Sequence, residues 1–241
     1  MGNYRHGLVV LCAALAGTLL AARLGLWQLD RAATKEALQS VLEGNSRLPA
    51  LDASSLPGTP AEVAALRYRP VRLDGRWLAE RTIFLDNRQM DGKTGFYVVT
   101  PLLLAGRPEA LLVQRGWVQR DFIDRAALPK VQTPAGPVSV VGSVAPPPSR
   151  LFEFDAAASG TIRQNLDLAA FAREASISLL PMTVLQRDSP GAADGLARRW
   201  PPPASDVHKH YGYAFQWFAI AAAIASLYVW HRFIRPLASR R

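Results

Sequence analysis

The side chains best suited to chemistry cluster just before the second of two long apolar segments. Residues 208–210 (His-Lys-His) directly precede this segment. On a helix, His210 would share a face with Tyr213 and Trp217, which follow it by three and seven residues. An imidazole beside large aromatic rings at one membrane level could ligate haem iron. The alternative is an interfacial histidine that bonds to lipid headgroups or loop carbonyls.

Three further side chains at the end of the first apolar segment lie at the same depth. They are Arg23, Trp27 and Gln28. The Arg23 guanidinium could bind a haem propionate. His6 and His231 sit at the opposite end of the segments, and His231 is about 32 Å from His210 along a helix, so neither can share its metal. A second axial ligand would be His208, a Tyr, a Met or a partner's residue. We therefore expect only transient haem binding, as in a carrier.

Catalytic signatures are missing from the polar middle of the chain. No histidine lies between residues 7 and 207, which excludes a Ser–His–Asp or Cys–His site there. Neither a glycine-rich phosphate loop nor a His-Glu-x-x-His motif is present. A hydrolase using paired carboxylates remains a minor alternative, with Asp86 and Asp91 or with Glu153 and Asp155. The sequence predicts a protein that is not an enzyme.

A single cysteine narrows the metal chemistry. Cys12 lies within the first apolar segment. One thiol cannot form a disulfide framework, an iron–sulfur cluster, a thiolate zinc site or a Cys-x-x-Cys copper site. Haem through histidine is the metal chemistry that remains.

Two segments are long and apolar enough to span a bilayer, and they divide the 241 residues. The predicted spans are 7–29 and 210–230. A cleaved signal peptide is the alternative for the first. Small residues would let the helices approach closely. They are Ala13, Gly17 and Ala21 in the first span, and Ala221 and Ala225 in the second.

The net charge of +9 indicates how the chain is oriented in the membrane. Six of the excess positive charges belong to Arg5, Arg23 and the four arginines of residues 231–241. The positive-inside rule places the short N-terminus 1–6 and the tail 231–241 in the cytoplasm. Residues 30–209 then face the periplasm of a bacterial inner membrane, or the intermembrane space of a mitochondrion. The remaining charge is nearly balanced, so no nucleic-acid partner is expected.

The middle segment predicts a β-rich domain. A helix over 30–42 continues the first span, and a helical turn occupies 61–66. Short β-like runs follow, and 95–104 and 110–118 form a hairpin. The others are 71–73, 82–88, 137–144, 161–166 and 182–187. A short helix covers 169–176, and 189–206 form an extended link to the membrane. The predicted fold is a mainly antiparallel barrel- or sandwich-like α+β domain between two transmembrane helices.

Several residues of this domain are expected to set its shape. They are Gly95, Pro101, Arg115, Gly116 and Trp117. Gly92 and Gly95 would serve a turn between strands. Arg88, Arg115 and Arg120 would form either a patch for an anionic partner or an ordinary solvated face.

Five ordered motifs together resemble the surfeit locus protein 1 family. They are residues 24–31 (LGLWQLDR, which includes Arg31), 85–88 (LDNR), 95–102 (GFYVVTPL), 113–118 (VQRGWV) and 210–218 (HYGYAFQWF). The likeness covers nearly the whole chain apart from about residues 43–66.

The resemblance implies an assembly factor for cytochrome c oxidase, held in the membrane by two helices. Its expected role is to assist haem a insertion into subunit I, or to stabilise that subunit, alongside other assembly factors. The position proposed in some relatives as a haem a ligand is His210 here. A different class of protein remains as the alternative, namely a doubly anchored β domain that binds a lipid or partner protein without haem.

Overall fold

The computed structural model describes residues 2–121, 123–124, 127–152, 160–188, 194–200 and 207–235. They form two compact units. The helical unit contains the described residues up to Val41 and from Val207 onward. The β domain contains those between Leu42 and Trp200.

Four α-helices occur in the described ranges. They are α1 (Gly2–Ser46), α2 (Pro60–Ala65), α3 (Leu168–Ala175) and α4 (Val207–Val229). A π-helical turn, Trp230–Ile234, extends α4. The ranges His6–Ser46 and Val207–Ile234 are long and apolar enough to cross a membrane. The predicted continuation of the first span into a polar helix is confirmed.

In the helical unit, α4 presents one narrow face to the interior. The buried and half-buried residues of α4 alternate at steps of three and four. They are Val207, His210, Ala214, Trp217, Ala221, Ile224 and Tyr228. This 3.5-residue period is that of a left-handed coiled-coil seam.

Small residues of α1 face this seam. Ala21 is buried, and a Cβ added at Gly17 would lie 3.4 Å from the Ile224 side chain. The predicted contributions of Gly17, Ala21 and Ala221 fit this packing. The contribution of Ala225 is wrong, because it is exposed, whereas Ala13 lines a groove between the two helices together with Ile224. The sequence prediction used a strict four-residue step, whereas the buried face advances by 3.5 residues.

Seven strands build the β domain. They are β1 (Pro70–Trp77), β2 (Ile83–Met90), β3 (Lys93–Leu104), β4 (Ala110–Gln119), β5 (Pro137–Ala145), β6 (Ile162–Arg163) and β7 (Leu179–Gln186). Each strand run expected from the sequence is present, and β3 and β4 form the predicted hairpin.

The sheet is mixed but mainly antiparallel, as expected, since five of the seven described strand pairings are antiparallel. Among the described strands, β4–β7 and β2–β6 pair in parallel, and the other pairings are antiparallel. The strand order is β1-β5-β7-β4-β3-β2-β6, with β1 also paired to β3. Five strands therefore form a closed circuit of hydrogen-bonded neighbours. The long β3 makes this possible, since its first half pairs with β2 and its last residues pair with β1.

The largest apolar cluster fills this circuit. Each of its five strands contributes buried side chains, among them Leu73, Leu102, Val113, Val140 and Met182. β4 is buried on both faces, because α3 covers its outer side with Phe171 and Ala175, which pack in a cluster with Leu112. A continuous apolar run such as 110–113 is typical of a strand covered on both faces.

Residues 194–200 are not the simple extended link predicted from their composition. Ala197 pairs with Trp117 of β4 through backbone hydrogen bonds of 2.7 and 2.8 Å. The Trp200 indole donates to the carbonyl of Gln186 over 2.7 Å and packs edge-on against Tyr97. This segment is therefore part of the β domain. The remainder of the predicted link, 189–193 and 201–206, lies outside the described residues.

Candidate functional site

His210 and Gln28 meet across the two long helices. The distance between His210 Nδ1 and the side-chain oxygen Oε1 of Gln28 is 2.7 Å. His210 is the second position of the α4 seam and is half-buried, as is Gln28. The two residues therefore lie at the same level of the helix pair.

Aromatic side chains next to His210 divide between the seam and the outer surface. Trp217 is half-buried, two turns beyond His210 in the same seam. Tyr213 lies outside the seam and is 50% exposed, because it sits beside the buried Ala214 on the flank of the helix. The geometry groups Trp217 with His210 and leaves Tyr213 at the edge.

The other residues expected near this level project outward from α1. Arg23, Trp27 and Arg31 are all exposed in the helical unit. Only Gln28, from this part of α1, is shown in contact with His210. A role for Arg23, Trp27 or Arg31 in holding a ligand or partner stays a prediction.

Within the described ranges, no group of three or more His, Cys, Asp or Glu residues is placed to hold a metal ion. His6 and His231 line a mostly apolar groove of about 620 Å³ between the two helices, together with Val10, Ala14 and Leu227. This groove lies at the end of the helix pair away from His210. The two distant histidines are therefore separate from His210, as their spacing predicts.

The interior of the β domain contains an ionic cluster that the sequence did not predict. Arg115 is 1% exposed, and its Nη2 lies 3.2 Å from Oδ2 of Asp194. The same oxygen lies 2.5 Å from Nη2 of Arg198. One buried carboxylate thus balances two buried guanidinium groups.

Further contacts fix the Arg115 guanidinium. It donates to Thr133 Oγ1 at 2.6 Å and to the Gln132 carbonyl at 2.8 Å, and it stacks 4.8 Å from the centre of the Trp77 ring. Burial lowers the pKa of Arg115, and the charge of Asp194 acts in the opposite direction. A guanidinium nevertheless remains charged in proteins.

Arg88 is buried by a different set of contacts. Its Nη1 donates to the carbonyl of Ser149 at 2.8 Å, and its Nη2 donates to that of Gln164 at 2.6 Å. Burial lowers its pKa. Arg88 and Arg115 therefore hold loops to the sheet from within, and the prediction of an anionic patch or a solvated face is wrong for both. Arg120 differs, since it is partly exposed and pairs with Asp86 at 3.1 Å.

The carboxylates considered for hydrolysis have separate partners. Asp86 binds Arg120, and Asp91 accepts from Nε of Arg199 at 2.5 Å. Each is engaged in its own ion pair, which gives no support to a shared acid–base site. Glu153 and Asp155 lie outside the described residues.

Two glycines of the predicted shape-determining set allow close packing. A Cβ at Gly116 would lie 2.6 Å from Cβ of Leu196 in the 194–200 segment. Gly95 lies within β3, not in the turn, and it faces the ring of Trp117. Gly92, with φ of +74°, does occupy the turn before β3. Trp117 is nearly buried, and its indole donates to the Arg88 carbonyl at 2.9 Å.

Gly95→Ala is expected to lower the free energy of unfolding by about 1–3 kcal/mol, the usual cost of overpacking a core. The added Cβ would overlap the Val118 carbonyl oxygen and lie 2.6 Å from the Trp117 ring. Urea unfolding of the full chain in detergent, followed by tryptophan fluorescence, measures this change. Gly136→Ala is the matched control, because nothing lies within 4 Å of a Cβ there. Equal stability of the two variants would contradict the packing assigned to Gly95.

Comparison with known proteins finds a match that includes residues of both the helical unit and the β domain. The sequence model of the SURF1 family matches residues 15–222. The chain belongs to the SURF1 family.

Curated relatives of this chain carry the SURF1 name in distant organisms. A SURF1-like protein of Drosophila melanogaster is 27% identical over 87% of this chain and 72% of its own length. A SURF1-like protein of Rickettsia bellii is 26% identical over 85% of this chain and 83% of its own. The cytochrome oxidase assembly protein SHY1 of Saccharomyces cerevisiae is 28% identical over 48% of this chain and 29% of its own.

The SURF1 family match begins in α1 and ends in α4. It therefore includes Gln28 and His210 as well as the buried arginines of the β domain. The resemblance drawn from the five sequence motifs is confirmed.

Proposed function

We propose that this SURF1 family member is a non-enzymatic membrane protein that assists the assembly of cytochrome c oxidase. The main observation that supports this proposal is that the family match runs from within α1, through the β domain, into α4. A relative in yeast is named a cytochrome oxidase assembly protein. Its partners in this proposal are oxidase subunit I and other assembly factors.

In this proposal α1 and α4 cross the inner membrane of a bacterium, or of a mitochondrion in a eukaryote. Their length and apolar composition support this placement. Arg232 and Arg235 follow the second span, and the sequence adds Arg240 and Arg241, which lie outside the described residues. A basic flank of this kind favours the cytoplasmic side for both termini. The β domain then faces the periplasm, where it can reach the exposed side of an oxidase subunit.

The donor set at His210 fits haem better than a bare metal ion. A zinc ion in a protein is held by three or four protein ligands, and the described residues offer no such cluster. Haem supplies four ring nitrogens itself and requires only axial ligands from the protein. A single half-buried imidazole, with Trp217 on the same seam, meets that requirement. We therefore assign His210 as the candidate ligand of haem a.

The chain's own residues would hold and release haem a without catalysing a reaction on it. His210 offers one ring nitrogen, and the Trp217 ring offers an apolar surface in the same seam. Arg23 could bind a propionate from the outer surface of α1. When bound, haem a would provide the metal and porphyrin destined for the oxidase. A single weak axial bond suits transfer, because a carrier must release its cargo.

Deletion of the gene tests the proposed function. We expect the haem a content and the subunit I level of the membranes to fall several-fold, because subunit I would lack its proposed assembly factor. Expression of this chain from a plasmid should restore both. Membrane spectra and immunoblots measure the change, with succinate dehydrogenase activity as the control for a general membrane defect. Normal oxidase in the deletion strain, with an unrelated protein co-purifying, would favour the haem-free binding domain instead.

A further inference from the structure

The contact between Gln28 and His210 determines which nitrogen of the imidazole carries the proton. The contact joins His210 Nδ1 to the amide oxygen Oε1 of Gln28 at 2.7 Å. An amide oxygen has no proton to donate, so Nδ1 must be the donor. In the neutral imidazole the other nitrogen, Nε2, is then an unprotonated acceptor.

We infer that Gln28 is a positioning residue, which holds His210 in the tautomer and orientation that leave Nε2 free to bind a haem iron. This inference rests on the proposed function for its ligand, but the tautomer itself does not. Histidine ligands in metalloproteins usually donate their second ring N–H to an oxygen acceptor, which fixes the ring and makes the ligating nitrogen more basic. Gln28 supplies such an acceptor.

The positions of both residues in the helix pair favour this role over that of a casual surface contact. His210 and Gln28 are both half-buried, on facing helices. The seam residues on either side of His210 are Val207 and Ala214, and both are buried and apolar. They provide no polar side chain to compete with Gln28 for Nδ1. The bond also links α1 to α4, so the imidazole is oriented only when the two helices are paired.

The first test is made without haem. The full-length protein, labelled with ¹⁵N in its histidine rings and held in lipid nanodiscs, is examined by NMR. The signal of His210 is identified among those of the four histidines by its absence from the variant H210A. We expect the His210 signal of the native protein to show the proton on Nδ1, and that of Q28L to lose this pattern. Q28E, which retains an oxygen acceptor, should preserve it.

Matched variants separate positioning from general damage. Gln216→Leu makes the same change at an exposed position of α4 and should leave the His210 signal unchanged. Circular dichroism checks that helix content is equal in all variants. A His210 signal in Q28L that is identical to that of the native protein would overturn the inference.

The second test adds ferric haem as the probe. Titration followed by the Soret absorption should give an affinity about 10- to 100-fold weaker for Q28L, the usual loss when the group behind a metal ligand is removed. Q28E and Q216L should bind within a few-fold of the native protein. A changed tautomer with unchanged haem affinity in Q28L would overturn the positioning role. Native-like haem binding by H210A would instead overturn the proposed ligand, while the NMR result on Gln28 would stand.

Discussion

Replacement of Asp194 by asparagine is expected to destabilise the β domain by about 3–5 kcal/mol, the usual cost of breaking a buried ion pair by removing one partner. The Asp194 carboxylate is the charge shared by Arg115 and Arg198. Its side chain is 8% exposed, and those of both arginines are 2% exposed. Without the negative charge, the buried Arg115 guanidinium would keep only neutral partners among the described residues, and the acidic partner left to Arg198 would be the exposed Asp188.

The measurement is the free energy of unfolding of the full chain in detergent, from urea titration. Asp188→Asn is the matched control, because Asp188 also binds Arg198, at 3.2 Å, but is 80% exposed. An exposed ion pair contributes about 0–1 kcal/mol, so this variant should remain close to the native protein. A loss below 1 kcal/mol in D194N would show that the cluster does not depend on its carboxylate.

The second large effect concerns the proposed haem ligand, His210. His210→Ala should remove the haem spectrum from protein purified out of cells that make haem a. We expect the affinity for haem to fall by more than about 100-fold, since removing only the group behind a metal ligand costs up to that much. Absorption spectra of the purified protein and the haem a content of the oxidase measure the effect.

His208→Ala is the matched control for this experiment. His208 is two residues away on the same helix but is exposed outside the seam. The H208A variant should retain the haem spectrum if His210 is the ligand. An unchanged spectrum together with normal oxidase maturation in H210A would refute the assignment of His210.

The elements that depend on local sequence pattern could be predicted. Long apolar runs identified both helices, and short β-like runs between turn residues located the seven strands. The parallel pairing of β4 with β7 could not be predicted, because it depends on how α3 returns the chain to the sheet. The 3.5-residue seam was missed for a similar reason, since α1 alone does not reveal which of its faces meets α4.

The buried arginines mark the clearest limit of sequence reasoning. Arginine is almost never fully buried unless it is paired. The partner of Arg115, Asp194, lies far away in a Pro-, Gly- and Ala-rich segment that reads as a linker. The two terminal nitrogens of Arg88 donate to main-chain carbonyls, which leave no signature in the sequence. The sequence predicted that Gln28 and His210 lie at the same level of the two helices. Their direct hydrogen bond could not be predicted, because it depends on how the two helices pair.

The additional pairing of β1 with β3 has a consequence for association between molecules. It leaves β6, a strand of two residues, as the one free end of the described strand order. The neighbouring β2 is irregular between Leu85 and Arg88, with Asn87 at a φ of +58°. Short and irregular edges make poor templates for strand addition, which is how sheets from different chains join into aggregates. The described β domain can therefore accumulate without joining sheets with its own copies.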